Sequence, residues 1–248
     1  MKNFIRRIAG QLLQAALRSR SRPYLLPGGP VLVVAPHADD ETLGCGGLMT
    51  ALNGQGTPVH VAFVSDSAGS PEGNPAPGQA AQRRAEAFAA LATLGVTPDR
   101  TTFLDAADGR LDRLPPAETA RVRAALGELV QRHRIADVFM PYRGGGSSEH
   151  DAVAGHTRAA VAGGGSLCRV WEYPVWAWWD PRRLAGQLAR PQENFLFPLG
   201  ALRARKRAAL ACHASQCVPQ PPRREPALPP VLATLCTGPT EFYFLRQP

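Results

Sequence analysis

Short apolar runs alternate with helical patterns along the first 175 residues. The runs predict buried strands at 30–36, 58–64, 101–104, 135–141 and 169–174. Apolar positions at helical spacing predict helices at 41–53, 80–94, 116–133 and 151–162. A stretch rich in Gly, Pro and Ser predicts a loop at 67–79. Because strand and helix alternate in this way, we expect a Rossmann-like α/β fold, with a mainly parallel sheet flanked by helices on both faces.

The regular alternation ends after residue 175. The later elements predicted are an irregular excursion with three Trp at 176–200, a basic helix at 201–213, a Pro-rich segment at 218–230 and a strand at 241–245. No internal repeat and no clear linker divides the chain. We therefore expect a single domain over 26–248, in which 176–248 is a less regular C-terminal elaboration.

Residues 1–25 form a basic amphipathic segment ahead of this domain. Phe4, Ile5, Ile8 and Leu12 recur at helical spacing, and six Lys and Arg lie in the first 22 residues without an acid. The segment is too polar and too short for a signal peptide. It is either a helix packed on the domain, or a frayed tail, or a helix that makes peripheral membrane contact through residues 1–23.

Composition narrows the classes of partner. The net charge of +8 favours anionic partners, yet the chain has no motif that interleaves basic and aromatic residues, so we do not expect it to bind nucleic acid. Its five Cys are odd in number, scattered and without CxxC spacing, which argues against a disulfide framework and against a cysteine zinc site. A reducing cytoplasm fits this use of cysteine.

The turn after the strand at 30–36 concentrates ionisable residues: His37, Asp39, Asp40 and Glu41. In open α/β sheets, ligand sites form beyond the carboxyl ends of the strands. Helix capping is the structural alternative, but a cap needs one acid and does not explain the histidine. Successive carboxylates repel one another unless a cation offsets their charge. A histidine and a carboxylate three residues apart can face one ion, and such ligands suit a catalytic Zn²⁺.

A third ligand is expected from a second strand end. His150 follows the strand at 135–141 and the glycine loop at 144–146, between Glu149 and Asp151. A histidine near a helix start is common, so the position of His150 at a strand end is what makes it a candidate ligand.

These residues also resemble a known family. Pro36-His37-Ala38-Asp39-Asp40-Glu41, followed by Leu43-Gly44-Cys45-Gly46-Gly47, resembles the P-H-x-D-D-E-x-L-G-x-G-G signature of the PIG-L, or LmbE-like, deacetylases. The resemblance extends more weakly to about residue 175. It implies a zinc-dependent hydrolase that removes the N-acetyl group from an N-acetylglucosamine-containing conjugate, either a small molecule or lipid-linked. Another divalent metal would suit the same ligands.

The resemblance implies a role for each matched residue. His37 and Asp40 would be metal ligands, and Asp39 would be the general base that activates a zinc-bound water. The segment 141–150 aligns with the end of a strand and the family's H-P-D-H motif. His150 then takes the place of its last His, as the third metal ligand, and Glu149 that of the acid before it.

Arg83 and Asp108 match residues that contact the polar substrate in the family, whereas one position departs from the family's H-P-D-H motif. Ser147 replaces the first His of H-P-D-H, a residue that stabilises an oxyanion or moves a proton. A serine in this substrate-binding position can donate a hydrogen bond but cannot carry a positive charge. Either His156 or His213 takes over that charge, or activity is reduced, or the alignment is locally wrong. For each histidine, an ordinary packed or solvated side chain is the alternative.

The substitution at Ser147 supports an alternative function. A non-catalytic protein that binds a sugar or lipid conjugate could use the same scaffold. Asp39 argues against this alternative, because a binding protein has no need of a second carboxylate beside the ligand Asp40. The oligomeric state is not predicted.

Overall fold

The computed structural model describes residues 1–69, 77–165, 168–220 and 223–246. The helices are α1 (Lys2–Arg18), α2 (Asp40–Gly54), α3 (Gln79–Leu94), α4 (Pro116–Arg132), α5 (Ser148–Gly163), α6 (Leu202–Cys212), α7 (Ala214–Cys217) and α8 (Pro230–Cys236). The strands are β1 (Arg22–Pro23), β2 (Val31–Ala35), β3 (Val59–Ser65), β4 (Thr101–Ala106), β5 (Asp137–Pro141), β6 (Arg169–Tyr173), β7 (Asn194–Pro198) and β8 (Thr240–Arg246).

One sheet of eight strands runs through the molecule in the order β1-β7-β8-β6-β5-β2-β3-β4. All neighbouring pairs are parallel except those made by β8, which runs against both β6 and β7. The chain moves outward from β2 through β3 to β4 and then returns to place β5 on the other side of β2. The junction between β2 and β5 is therefore a topological switch point, where α/β proteins form their sites.

Helices cover both faces of the sheet, as expected. Along β2, Val31 and Val33 pack into a core with α2, α3 and α6, whereas Leu32 and Val34 pack into a second core with α4 and α5. Burial on both sides explains why this strand is a continuous apolar run rather than an alternating one. The predicted α/β fold is confirmed.

The predicted elements differ from the structure mainly near the chain ends. The excursion at 176–200 contains a strand, β7, which pairs with β8 and with the two-residue strand β1. Helix α5 begins at Ser148 rather than near 151, and α8 follows the Pro-rich segment unpredicted. Of the predicted loop at 67–79, residues 70–76 lie outside the described part of the chain.

Glycines let α2 lie unusually close to its neighbours. A Cβ at Gly44 would come within 2.2 Å of the Tyr173 ring, and one at Gly47 within 2.1 Å of Leu199. The amide of Gly47 donates to the Glu241 carboxylate at 2.8 Å, and Lys206 forms a buried ion pair with the same carboxylate at 2.7 Å. The glycines of the L-G-x-G-G segment therefore allow close packing of α2, the helix that begins at the predicted site.

Helix α1 packs on the rest of the molecule. Its Gln14 amide donates to the carbonyl of Leu235, and Gly10 lies against the Leu235 side chain. Over the ranges that the structure covers, no helix is both long enough and apolar enough to cross a membrane.

Candidate metal centre and active site

The predicted site residues gather at the switch point of the sheet. His37 and Asp39 lie in the turn between β2 and α2, Asp40 is the first residue of α2, and His150 lies in the first turn of α5, after β5. Because β2 and β5 are parallel neighbours, their carboxyl ends bring these two turns together. The structure thus joins residues that are more than 100 positions apart in the sequence.

Three side chains form the first candidate metal-binding group. The Oδ2 atom of Asp40 lies 3.2 Å from Nδ1 of His37 and 3.2 Å from Nε2 of His150. Asp40 and His150 are buried, and His37 is partly buried. The three ligand atoms lie within 4.8 Å of one another, which suits a single ion.

The opposite side of the His37 ring faces two more carboxylates. Its Nε2 atom lies 3.1 Å from Oδ1 of Asp108 and 3.3 Å from Oε2 of Glu149. Backbone amides also hold both acids: Gly69 donates to Asp108 at 2.7 Å, and Leu111 donates to Glu149 at 3.0 Å. A carboxylate on the far nitrogen of a ligating histidine is a common way to fix its tautomer and ring orientation.

The electrostatics of this cluster favour a positive charge. Burial alone would lower the pKa of His37, but contacts with Asp108, Asp40 and Glu149 raise it well above its usual value. Burial alone would raise the pKa of Asp40, but His150 and His37 hold it well below its usual range. Three carboxylates around two histidines therefore stay ionised and attract a cation.

The residues fit a divalent ion. Nε2 of His150 is buried and faces Oδ2 of Asp40 at 3.2 Å, yet it makes no well-aligned hydrogen bond among the described residues, as expected of two side chains that share one ion. Two imidazoles and a carboxylate, with further carboxylates around them, match the ligand chemistry of a catalytic zinc site. His37, Asp40 and His150 are the residues that would hold the ion.

Asp39 stands at the strained start of α2. Its φ angle is 142°, a value that side chains other than glycine rarely adopt, and such strain costs about 1–3 kcal/mol. Its amide donates to Oε2 of Glu41 at 3.0 Å, which holds the turn in this conformation. Burial, together with the charge of Asp40, raises the pKa of Asp39 to about 7. A carboxyl group with this pKa can both accept and return a proton near neutral pH.

Arg83 lies within electrostatic reach of two site acids. It is buried in α3, and its charge lowers the pKa values of Asp39 and Asp108. Its Nε atom has no hydrogen-bond partner among the residues described. A buried guanidinium with an unused donor can hold a polar group of a substrate.

Ser147 caps α5, an arrangement that the sequence analysis did not consider. Its Oγ atom accepts a hydrogen bond from the amide of His150, at 3.3 Å. The hydroxyl therefore helps to start the helix that carries a candidate ligand. The predicted substrate contact of Ser147 stays a prediction.

The two histidines considered as replacements lie in different surroundings. His156 accepts a hydrogen bond from Arg123 on α4, at 3.3 Å. His213 is buried, with Nε2 3.1 Å from Oε1 of Glu41, and its charge lowers the pKa of Asp39. Of the two, only His213 is electrostatically coupled to the site.

Sequence reasoning gave Glu41 and Glu149 no functional role, although it named both. Glu41 links the amide of Asp39 to His213, and Glu149 contacts His37 across 112 positions of the chain. Its position next to His150, after a strand end, is the one sequence feature that could have indicated a role for Glu149.

The site and the fold define an α/β protein with a candidate metal centre at its switch point. The family model described as PIG-L, GlcNAc-PI de-N-acetylase, matches residues 32–161. The chain belongs to this PIG-L family, as its signature predicted.

Similar proteins include deacetylases and one protein with a different activity. The chain is 32% identical over 160 residues to 2'-N-acetylparomamine deacetylase of Streptomyces fradiae; the match covers 58% of this chain and 56% of that protein. It therefore spans little more than half of this relative's length. The A40926 pseudoaglycone deacetylase is 17% identical, with a TM-score of 0.63 over 87% of this chain and 96% of that one.

The fold also occurs with different chemistry. The 4-carboxy-2-hydroxymuconate hydratase of Pseudomonas putida is 17% identical, with a TM-score of 0.62 over 88% of this chain and 95% of that one. Likeness at this level of identity establishes the fold alone, so the reaction must be argued from the site.

Proposed function

We propose that this protein is a divalent-metal-dependent hydrolase that removes the N-acetyl group from an N-acetylglucosamine-containing conjugate. One observation carries the proposal: the group His37, Asp40 and His150 adjoins Asp39, a buried acid whose backbone is strained. Membership of the PIG-L family and the similarity to 2'-N-acetylparomamine deacetylase support an acetylated amino sugar as the substrate class.

His37, Asp40 and His150 would hold the ion, and zinc is the ion that their chemistry favours. When bound, it would polarise the acetyl carbonyl and lower the pKa of a water molecule. Asp108 and Glu149 lie 3.1 Å and 3.3 Å from Nε2 of His37, where they would accept its proton and leave Nδ1, which faces Asp40, for the ion.

Asp39 would act as the general base in amide hydrolysis. Its pKa of about 7 lets it take a proton from the attacking water and return that proton to the leaving amine. Arg83, Asp108 and Ser147 are proposed to contact the polar substrate. Asp108 would then contact both the substrate and Nε2 of His37.

The alternative is a protein that binds a sugar or lipid conjugate without hydrolysing it. The use of Ser147 as a helix cap favours this alternative, because its hydroxyl cannot replace the charge of a histidine. The presence of Asp39 opposes it, because a binding protein has no need of a second carboxylate beside the candidate ligand Asp40.

Acetate release from a panel of N-acetylglucosamine conjugates would decide between the two. We expect the zinc-loaded protein to release acetate, and Asp39→Asn to lower the rate by about 10²–10⁴-fold while still binding zinc. Asp105→Asn is the matched control, because Asp105 also has a positive φ but is exposed and pairs with Arg84. If zinc-loaded protein binds the conjugates but releases no acetate, the hydrolase proposal is wrong.

We also propose the setting in which the protein works. Cys45, Cys212, Cys217 and Cys236 are free thiols, as is usual in a reducing compartment, and we propose the cytoplasm. We propose that residues 26–248 form the catalytic domain and that residues 1–25 form an attached basic segment.

A further inference from the structure

Helix α1 is docked with its apolar side turned away from the protein. Gly10, Gln14 and Leu17 are its buried residues, whereas Phe4, Ile5 and Leu12 are 61%, 58% and 66% exposed. At about 100° per residue, these two sets lie on opposite sides of the helix. A surface helix normally turns its apolar stripe toward the core, so this orientation requires an explanation.

Specific contacts hold the helix in this orientation. The Gln14 amide donates to the Leu235 carbonyl at 3.0 Å, in a buried position. A Cβ at Gly10 would come within 2.7 Å of the Leu235 side chain, so a larger residue here would require that side chain to move. Arg18 donates to Thr240, and the Arg6 guanidinium stacks on the Trp179 ring at 4.0 Å. Contacts along the whole helix therefore fix the apolar side outward.

Basic side chains border the apolar side, and acids are absent from this part of the sequence. Lys2, Arg7 and Arg18 are exposed on α1, and the first acid of the chain is Asp39. The segment 181–189 packs along α1 and carries Arg182, whose side chain is 90% exposed and pairs with Asp180. Apolar residues bordered by basic ones are the pattern of helices that lie in the interface of an anionic bilayer.

We propose that the outward face of α1, formed by Phe4, Ile5, Ile8 and Leu12 and bordered by Lys2 and Arg7, docks on the surface of an anionic lipid bilayer. A second copy of the chain fits this face less well. A symmetric dimer through α1 would bring two basic segments together, and the first 38 residues offer no acid to pair with them.

Docking would leave the candidate site close to the lipid surface. A groove of about 440 Å³ lies between α1 and the loop before α5, and Ile5, Trp179 and Gly146 are among its lining residues. This loop leads into the turn that carries His150. The surface thus lies beside a candidate catalytic segment, although bilayer binding does not depend on the proposed hydrolase activity.

Co-sedimentation of the full chain with vesicles would test the proposal. We expect binding to phosphatidylcholine vesicles that contain phosphatidylglycerol, weakened by added salt, and little binding to phosphatidylcholine alone. The double variant Phe4→Ser/Leu12→Ser should lower the affinity by at least about tenfold, because it removes two large apolar groups. Lys2→Gln/Arg7→Gln should weaken binding to the anionic vesicles.

Matched controls separate this surface from a general effect. Val218→Ser removes another exposed apolar side chain, and Arg132→Gln removes an exposed charge from the opposite face of the sheet; neither should change binding. Thermal unfolding should show that every variant folds. Three results would overturn the proposal: no binding by the wild type, equal binding by the α1 variants, or a wild-type dimer in sedimentation velocity that Phe4→Ser/Leu12→Ser dissociates.

Discussion

Two histidine pairs lie at opposite ends of the parallel strands, and their surroundings differ. At the carboxyl ends, the rings of His37 and His150 lie 5.7 Å apart, with Asp40, Asp108 and Glu149 around them. At the amino ends, His60 and His133 stack at 3.8 Å, and the charge of Arg100 acts on His60.

The difference appears in the pKa values. The carboxylates raise the pKa of His37 well above its usual value despite burial. Burial, His133 and Arg100 lower the pKa of His60 to about 4. The first pair attracts a cation and the second repels one, so the acids around two histidines, more than the histidines themselves, distinguish a candidate metal site.

The largest effect should come from removing the carboxylate shared by the first pair. Asp40→Asn keeps the shape of the side chain but removes the charge between His37 and His150. Loss of a bound ion costs several kcal/mol of transition-state stabilisation, so we expect acetate release to fall by about 10³-fold or more. Steady-state kinetics with added zinc would measure this, and near-normal activity would exclude Asp40 as a required ligand.

The carboxylates on the far side of His37 should have a smaller effect. Glu149→Gln keeps an acceptor for the Leu111 amide but removes the charge facing Nε2 of His37. We expect the affinity for zinc to fall by about 10–100-fold. Glu118→Gln on α4 is the control, and competition with a chromogenic chelator would give both affinities. Equal affinity in Glu149→Gln and the wild type would show that Glu149 does not orient the ligand.

The second pair should affect stability instead of ion binding. His60 is buried and neutral, with a folded pKa of about 4 against an ordinary value of 6.5. The unfolded state therefore binds more protons between these values. His60 therefore leaves stability unchanged above about pH 6.5 and lowers it, by on the order of 1–3 kcal/mol, as the pH falls toward 4.

Urea unfolding of His60→Gln and the wild type between about pH 4 and 7 would check the direction of this change in the free energy of unfolding. The stability advantage of the wild type over the variant should shrink as the pH falls. If the two stability curves run parallel from about pH 7 to 4, His60 is not the group that titrates.

The smallest expected effect concerns the turn that delivers His150. Ser147→Ala removes a helix cap and should lower the free energy of unfolding by about 1 kcal/mol. Ser147→Thr keeps the cap and should restore stability. Because the hydroxyl carries no charge, acetate release by the alanine variant should fall less than about tenfold. A loss as large as that of Asp39→Asn would instead give Ser147 a direct part in the reaction.

The sequence predicted which residues meet in the candidate metal group better than it predicted the contacts around them. His37 and Asp40 are close in sequence, and the parallel βαβ order brings the end of the strand before His150 to the same edge of the sheet, so strand order together with the family signature predicted that these residues meet. The contact of Glu149 with His37 depends on the path of a loop across 112 positions. No local sequence pattern encodes such a contact. The positive φ of Asp39 could not be predicted either, because hydrophobic spacing carries no information about the backbone conformation of a single turn residue.

The limits of prediction at the chain ends have a similar origin. The apolar spacing of Phe4, Ile8 and Leu12 predicted a helix correctly, but the side that packs is decided by Gly10 and Gln14 against Leu235. Strand β7 is short, begins with Asn and ends with Pro, and its pairing with β8 organises it. Tertiary contacts decided both elements.

Zinc titration by calorimetry would test the central claim most directly, using the wild type, Asp40→Asn and His60→Gln/His133→Gln. We predict one ion per chain in the wild type, none in Asp40→Asn, and one ion with unchanged affinity in the double histidine variant. Full binding by Asp40→Asn, or loss of the ion from His60→Gln/His133→Gln, would contradict the claim that carboxylates make the first histidine pair the metal site.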